Sequence, residues 1–364
     1  MVFKTMRLGD VLELRRGFDL PKSKREKGCV PVYSSSGISG YHSVSAVDGP
    51  CLVTGRYGTI GQVFYSEKPC WPLNTSLYAT EFKGNNSRFL YYFLKTLPWE
   101  SYATASAVPG INRNHVNAIP VCLPDLECQV GIASLLGALD DKIALNNQLN
   151  GYLEELADGM FRRHFGGLTD NATLADFANV TMGQSPAGSS YNEAGIGTIF
   201  YQGRAEFGWR YPTQRLSTTE PKRMAKAGDV LMSVRAPVGD LNLAYEDCCI
   251  GRGLAAIHCD YPSYGLYLMR SLHKKLDAYN GEGTVFGSIN GKALNGLPIA
   301  LPNNAAIHAF EKEAAPIDTQ IRNNEVESRV LVTLRDTLLP KLMSGEIDVS
   351  KVDLTQLNSH LDDC

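Results

Sequence analysis

The sequence predicts an α+β protein made by internal duplication, with two similar globular α/β units joined by two long antiparallel coiled-coil helices. Three observations carry this expectation. The phrase GINRNHVNAIPVCLP at residues 110–124 returns as SINGKALNGLPIALP at 288–302, 178 positions later. After each copy the apolar residues recur every seven positions, the period of a helix carrying a coiled-coil seam. At 364 residues the chain also exceeds the size at which one core keeps growing, so more than one compact unit is expected.

Laid on each other without a gap, the two phrases match Ile111 with Ile289, Asn112 with Asn290, Asn117 with Asn295, Pro120 with Pro298, and Leu123-Pro124 with Leu301-Pro302. Such self-similarity is the mark of a duplicated unit. It reaches the start of each unit, where LGDVLELRRG from Leu8 matches LADFANVTMG from Leu174, sharing Leu8/Leu174, Asp10/Asp176 and Gly17/Gly183. GPCLVTGRYGTIG from Gly49 resembles GDVLMSVRAPVG from Gly228, and a one-residue gap aligns Arg56 with Arg235 and Gly61 with Gly239. FLYYFLKT from Phe89 lies beside YGLYLMRS from Tyr264, one short helix per unit. The runs CVPVY, CLVT, QVFY, TIFY, DVLMSV and LAAIH are apolar, β-branched and bounded by Gly, Pro and Ser, as strands are. Leu8 to Leu14 reads as either helix or strand.

The heptad stretches give the helices. The first places Leu139, Ile143, Asn146 and Leu153 on one seam, and the second places Ile317, Ile321, Asn324 and Leu331. Asp125 and Asn303 or Asn304 stand where N-caps belong. Pro316 lacks an amide proton and its ring strikes the preceding turn, so each stretch is expected to be a short helix followed by a long one starting near Leu139 and Ile317. About 25 residues at 1.5 Å each give roughly 40 Å. Because a globular unit intervenes, the long helices would pair antiparallel. Asn146 and Asn324 would then either lie buried and fix the register or face solvent at the seam edge. The expected division is 1–124 and 167–302 for the globular units, 125–166 and 303–345 for the helical spacers, and 346–364 for a C-terminal tail.

The net charge of −3 hides a division along the chain: +6 over 1–124, −4 over 125–166, 0 over 167–302 and −5 over 303–364. Basic charge sits in the first globular unit, and acid in the helical stretches, which suit a protein partner better than DNA. No apolar run approaches the roughly 18–20 residues needed to span a bilayer, and the charged start lacks a leader's apolar stretch, so the expectation is cytoplasmic, with no membrane contact. Most of the nine cysteines, which form no C-x-x-C pair, read as small buried side chains rather than as metal ligands or a disulfide framework. Catalytic motifs are wanting. GSINGK at Gly287–Lys292 has the wrong glycine spacing for a phosphate loop, and neither H-E-x-x-H, nor Asn-Pro-Pro-Tyr, nor a Gly-rich methyl-donor loop occurs. No catalytic residue, metal or cofactor is assigned.

Two related globules with divergent loops on a stiff rod form a ruler, and duplex DNA is the natural object, with half-sites about 34–36 Å apart. DNA contact needs cations against phosphates and donors or acceptors against base edges. RRGFDLPKSKREKG carries Arg15, Arg16, Lys22, Lys24, Arg25 and Lys27, either a phosphate-tracking loop or an ordinary solvated run. Arg56, with Tyr57 beside it, and Arg235 each follow an apolar strand among small residues that let DNA approach; each is a base or phosphate contact or else a structural ion pair. The shared Asn112 and Asn290 read as turn-formers or caps, and the unshared Arg113 and Lys292 as better DNA contacts. Gln202, Arg204 and Arg252, with Tyr33, Ser34 and Ser35, lie in loops that differ between the copies, where differing specificity belongs.

Four features together resemble a known family over nearly the whole chain: the L-x-D opening of each unit, the N-x-I/L-P-V/I-x-L-P ending, the stretch LPDLECQVGIASLLGALDDKIALNNQLN, and LLPKLMSGEIDV at Leu338–Val349. The chain is similar to the specificity subunits of type I restriction-modification enzymes. The resemblance implies a non-catalytic subunit with two target-recognition domains that reads a bipartite, asymmetric site on double-stranded DNA. It also implies assembly with two methyltransferase subunits, and with restriction subunits in the full complex. S-adenosylmethionine is expected on the methyltransferase partner. A scaffold or silent specificity cassette that no longer reads DNA is the alternative.

Overall fold

The structure, a computed structural model, describes residues 2–102, 110–281 and 287–352. The expected tail from 353 onward lies outside them. The chain divides into two compact units, one gathering the described parts of Met1–Leu145 and Glu327–Cys364, the other Asn146–Val326.

In the first unit an antiparallel sheet runs in the order Glu13–Arg16, Ser76–Glu81, Cys51–Gly55, Val63–Ser66. All five residues of Cys51–Gly55 are buried, which is why Cys51, Leu52 and Val53 run apolar rather than alternating. Helix Ser87–Lys95 is capped by Asn86, whose Oδ1 accepts from Phe89 N at 2.8 Å, and it buries Phe89, Leu90, Tyr92, Phe93 and Leu94. Phe3–Arg7 pairs antiparallel with Pro120–Pro124, so the end of the repeated phrase ties down the chain's start. The ambiguous Leu8–Leu14 stretch is both elements in turn: helix Leu8–Val11, then the strand from Glu13.

The second unit repeats this plan with the order Asn179–Met182, Leu254–His258, Val230–Ser233, Leu241–Leu243. Its registers recur at a constant step. Leu52 faces Tyr65 and Val53 faces Tyr78 in the first unit; Val230 faces Leu243 and Leu231 faces Ala256 in the second, each residue 178 further on. Helix Pro262–Ser271 takes the place of Ser87–Lys95. Each unit also carries a further sheet with one parallel pairing, Val32 facing Trp71 in the first and Phe200 facing Cys249 in the second, three strands wide in the first and five in the second.

The constant step corrects the alignment that matched Arg56 with Arg235. Ile111 N donates to Arg56 O, and Ile289 N to Val234 O; Tyr57 bridges Gly110, and Arg235 bridges Ser288. Arg56 therefore occupies Val234's place and Tyr57 occupies that of Arg235, with no gap between them.

Close backbone approach explains the shared Gly17 and Gly183. A Cβ on Gly17 would stand 2.3 Å from Leu73 O, and one on Gly183 would stand 2.1 Å from Gly251 O. Gly17→Ala and Gly183→Ala are each expected to cost about 1–3 kcal/mol, the usual penalty of overpacking. Gly159, in a helix with open space around it, should gain about 0.5–1 kcal/mol on replacement by alanine. Denaturant midpoints of the three variants check both signs.

Two long helices, Leu126–Phe165 and Asn304–Ser344, run unbroken for 40 and 41 residues. The expected break at Pro316 is absent. Proline removes one donor and leaves the carbonyl of Lys312 unpaired within the helix, but Lys312 and Pro316 are both exposed, so water can satisfy that carbonyl. Asp125 Oδ1 accepts from Cys128 N at 3.0 Å and Asn303 Oδ1 from Ala306 N at 2.9 Å, the caps expected after each proline.

Within the second unit Asn146 Nδ2 donates to Asn324 O at 3.4 Å, Asn324 Nδ2 to Asn150 Oδ1 at 2.7 Å, and Phe161 packs on Phe310 with ring centroids 5.5 Å apart. The partners thus run backward along one helix as they run forward along the other. Asn146 and Asn324 are buried, not turned to solvent. In the first unit Lys142 meets Glu327, and Asp140 meets Arg335. Leu139 and Ile321 are buried, and Ile143, Leu153, Ile317 and Leu331 half-buried.

Each unit grips its helices through a tyrosine and an aspartate. Tyr92 Oη donates to Asp140 Oδ2 at 2.6 Å, and Tyr267 Oη to Asp318 Oδ1 at 2.9 Å; the aspartates again stand 178 apart. Arg335 completes the first group at 2.6 Å. In the second the cation is Arg210, which reaches both Asp318 and Glu154, while Arg270 joins Glu154 and Asp158. Burial alone would push the Arg210 pKa down, but Asp318 and Tyr267 outweigh it and hold the guanidinium above its usual range.

Candidate nucleic-acid interface

The first unit gathers four of the candidate residues, distant in sequence, around one cleft of about 440 Å³: Arg16, Arg56, Tyr57 and Arg113, with Asn112 and Asn114 beside them. The fold sets each in turn. Arg16 ends the edge strand opposite Leu77. Arg56 follows the buried strand Cys51–Gly55, its N–H donating to Thr75 O at 3.0 Å and its carbonyl accepting from Ile111 N at 3.0 Å. Arg113 opens the short helix Arg113–Asn117, which Asn112 caps through a 2.9 Å bond from Asn114 N. The Arg56 guanidinium lies 4.6 Å from the centroid of the Tyr57 ring, within cation–π range. Gly110 admits that ring, since a Cβ there would stand 2.4 Å from Tyr57 Cε1.

The remaining basic candidates do not join the cleft. Arg15 alternates to the other face of its strand and pairs with Glu13 at 3.0 Å. Lys22 and Lys24 lie exposed on a single 3-10 turn. Arg25 donates to Ser39 O at 2.9 Å, a bond that fastens the loop to the neighbouring strand. Tyr33, read as a loop contact, lies instead in the strand Val30–Ser34, whose Val32 and Tyr33 are both buried, and packs beside Phe64 with ring centroids 5.9 Å apart.

In the second unit Arg235 and Lys292 are exposed, and Asn290 caps Gly291–Asn295 by accepting from Ala293 N at 2.9 Å. The loops holding Gln202 and Arg252 run side by side, with Gly251 N donating to Tyr201 O at 2.8 Å, and both residues are exposed. Arg204 is ion-paired with Asp240 and lines a pocket of about 460 Å³ with Phe207 and Asn242.

Sequence reasoning missed two features. Arg210 is buried, and nothing in YQGRAEFGWRYP distinguishes it from a surface cation. The second is an apolar stripe on the first long helix: Leu149, Tyr152 and Leu156 are 40%, 60% and 54% exposed, at helical spacing on a face away from the seam. Attention to the heptads hid it. Among the described residues no cluster of His, Cys, Asp or Glu could hold a metal, Cys51, Cys70, Cys128, Cys248 and Cys249 are buried thiols, and no helix is long and apolar enough to cross a membrane.

The family model for the type I restriction modification DNA specificity domain matches residues 2–155. A Methanocaldococcus jannaschii protein, named as the specificity subunit of type I restriction enzyme MjaX, is 31% identical over 290 residues, covering 72% of this chain and 68% of its own. The Haemophilus influenzae type I restriction enzyme HindI specificity subunit is 21% identical over 331 residues, covering 66% of this chain and 71% of its own. In fold, the crystal structure of a type I restriction-modification S subunit from M. genitalium matches with a TM-score of 0.65 at 16% identity, over 94% of this chain and 96% of that one. This chain belongs to the family of type I restriction enzyme specificity subunits.

Proposed function

We propose that the chain reads DNA sequence for a type I restriction-modification system, as a non-catalytic subunit that recognises a bipartite, asymmetric site on double-stranded DNA. Residues 1–124 and 167–302 act as two target-recognition domains descended from one. Residues 125–166 and 303–345 act as antiparallel coiled-coil spacers that recruit two methyltransferase subunits, and restriction subunits join in the full complex. The methyl donor, S-adenosylmethionine, belongs to the methyltransferase, and the complex works in the cytoplasm.

One observation carries this reading. From Cys51–Gly55 onward matched strand registers recur at a step of 178, while exposed or cleft-lining side chains at matched positions differ, Tyr57 against Arg235 and Asn114 against Lys292. A scaffold kept constant with its presented groups changed suits two readers of unlike half-sites, because base edges are told apart by donors and acceptors at the surface. The acidic helices, with the Leu149, Tyr152 and Leu156 stripe, suit a protein partner better than a polyanion.

Binding-site selection from random duplexes by the co-purified chain and methyltransferase tests the proposal. Enrichment of two short unlike motifs at a fixed interval is expected. Enrichment of one motif, or of a palindrome, contradicts the two-reader account, and a complex that enriches nothing is the scaffold.

A further inference from the structure

We infer that the cleft formed by Arg16, Arg56 and Arg113 is a phosphodiester-binding site that anchors the DNA backbone to the first unit through three arginines that the second unit lacks. The inference rests on the DNA-reading function proposed above and assigns one of its contacts.

Charge is the first ground. Arg15, Arg88 and Arg335 of the same unit are each paired with a carboxylate, whereas Arg16, Arg56 and Arg113 pair with none among the described residues. No carboxylate lines the cleft, and the neighbouring residues 103–109, ATASAVP, include none in sequence. Three guanidinium groups around one concavity repel each other and set up a field that an anion relieves. A base edge is a poor match, because guanine offers two acceptors and one arginine fills both. A phosphodiester accepts from several guanidinium groups at once.

Preorganisation is the second ground. Strand pairing opposite Leu77 sets Arg16, backbone bonds to Thr75 and Ile111 set Arg56, and the Asn112 cap sets Arg113. The volume of about 440 Å³ falls in the range of sites that take nucleotide-sized groups.

The repeat supplies the third ground. Matched registers and caps put Met182 in the place of Arg16, Val234 in that of Arg56 and Gly291 in that of Arg113. All three arginines are lost together, in the unit whose net charge is 0 against +6, and the cations the second unit carries there, Arg235 and Lys292, stand instead in the places of Tyr57 and Asn114. The first unit therefore supplies a larger share of the salt-dependent affinity.

The test measures Kd against salt by fluorescence anisotropy, using the full chain with its methyltransferase on a duplex bearing the selected motif. Each phosphate contact contributes about 0.9 to the slope of log K against log salt. The triple variant Arg16→Ala, Arg56→Ala, Arg113→Ala should lower that slope by at least about 0.9, with the methylated motif unchanged. The triple Arg→Lys variant, which keeps the charge without the bidentate fork, should restore it. Arg113→Ala alone, at an exposed position, should lower both affinity and slope without disturbing the fold. An unchanged slope in Arg113→Ala and in the triple alanine variant overturns the inference while leaving the DNA-reading function intact. Loss of one half of the motif in the triple alanine variant that lysine does not restore also overturns it, making the three arginines base readers like the Tyr57 beside them. A wild-type complex without sequence-dependent binding removes the underlying function and the inference together.

Discussion

Replacing Arg210 by alanine is expected to destabilise the second unit by about 3–5 kcal/mol, the cost of breaking a buried ion pair by removing one partner. Its side chain is 2% exposed and lies between Glu154 at 17% and Asp318 at 15%, so its loss strands two carboxylates away from water. Arg270 compensates only in part, since it already serves Glu154 and Asp158. Urea unfolding, followed in the second unit by the near-UV signal of Trp209 and its tyrosines, should show an earlier transition while that of the first unit holds. Arg335→Ala is the comparison. It removes the matching cation from Asp140, which keeps its bond from Tyr92 as Asp318 keeps that from Tyr267, but Arg335 is 18% exposed against 2% for Arg210, so about 1.5–3 kcal/mol is expected. Adding Asp318→Asn to Arg210→Met should recover part of the loss, because the stranded charge is then gone. Equal losses at Arg210 and Arg335 would show that burial does not set the cost.

The second large effect is on assembly. Leu149→Gln, Tyr152→Gln and Leu156→Gln together are expected to weaken methyltransferase binding by at least about 30-fold, as the loss of an apolar anchor worth about 2 kcal/mol does. Stability should change little, since all three side chains are at least 40% exposed and glutamine is a good helix former. Unchanged affinity by isothermal calorimetry would move the docking surface elsewhere on the chain. The same changes at Asn146 and Asn324, which are buried, should act on stability rather than on the partner.

How much of this was legible in the sequence depended on whether the physics involved was local. Asn112, Asn290, Asp125 and Asn303 were readable as caps because a cap is decided within four residues. The strand containing Cys51 and the helix containing Phe89 announced themselves by apolar runs bounded by turn residues. Pro316 misled because a proline's effect depends on whether its helix face meets water, which the sequence does not state. Arg56 and Arg235 share an identity one position out of step, whereas hydrogen bonding to Ile111 and Ile289 sets the true equivalence of Arg56 with Val234. Arg210 could not be found at all: its partners lie 56 and 108 residues away. The cleft falls between these cases. Its three arginines were each singled out, but their convergence from positions 16, 56 and 113 is a property of the sheet.

The central claim is that one duplicated scaffold reads two unlike half-sites. The most direct measurement is single-molecule sequencing of methylated bases in DNA from cells expressing this chain with its methyltransferase, compared with cells expressing the methyltransferase and Tyr57→Arg or Arg235→Tyr variants of the chain. The account predicts a split motif with unlike halves, one half altered by the change at 57 and the other by the change at 235. A motif that either substitution alters in both halves, or the absence of any motif although the proteins co-purify, would contradict it.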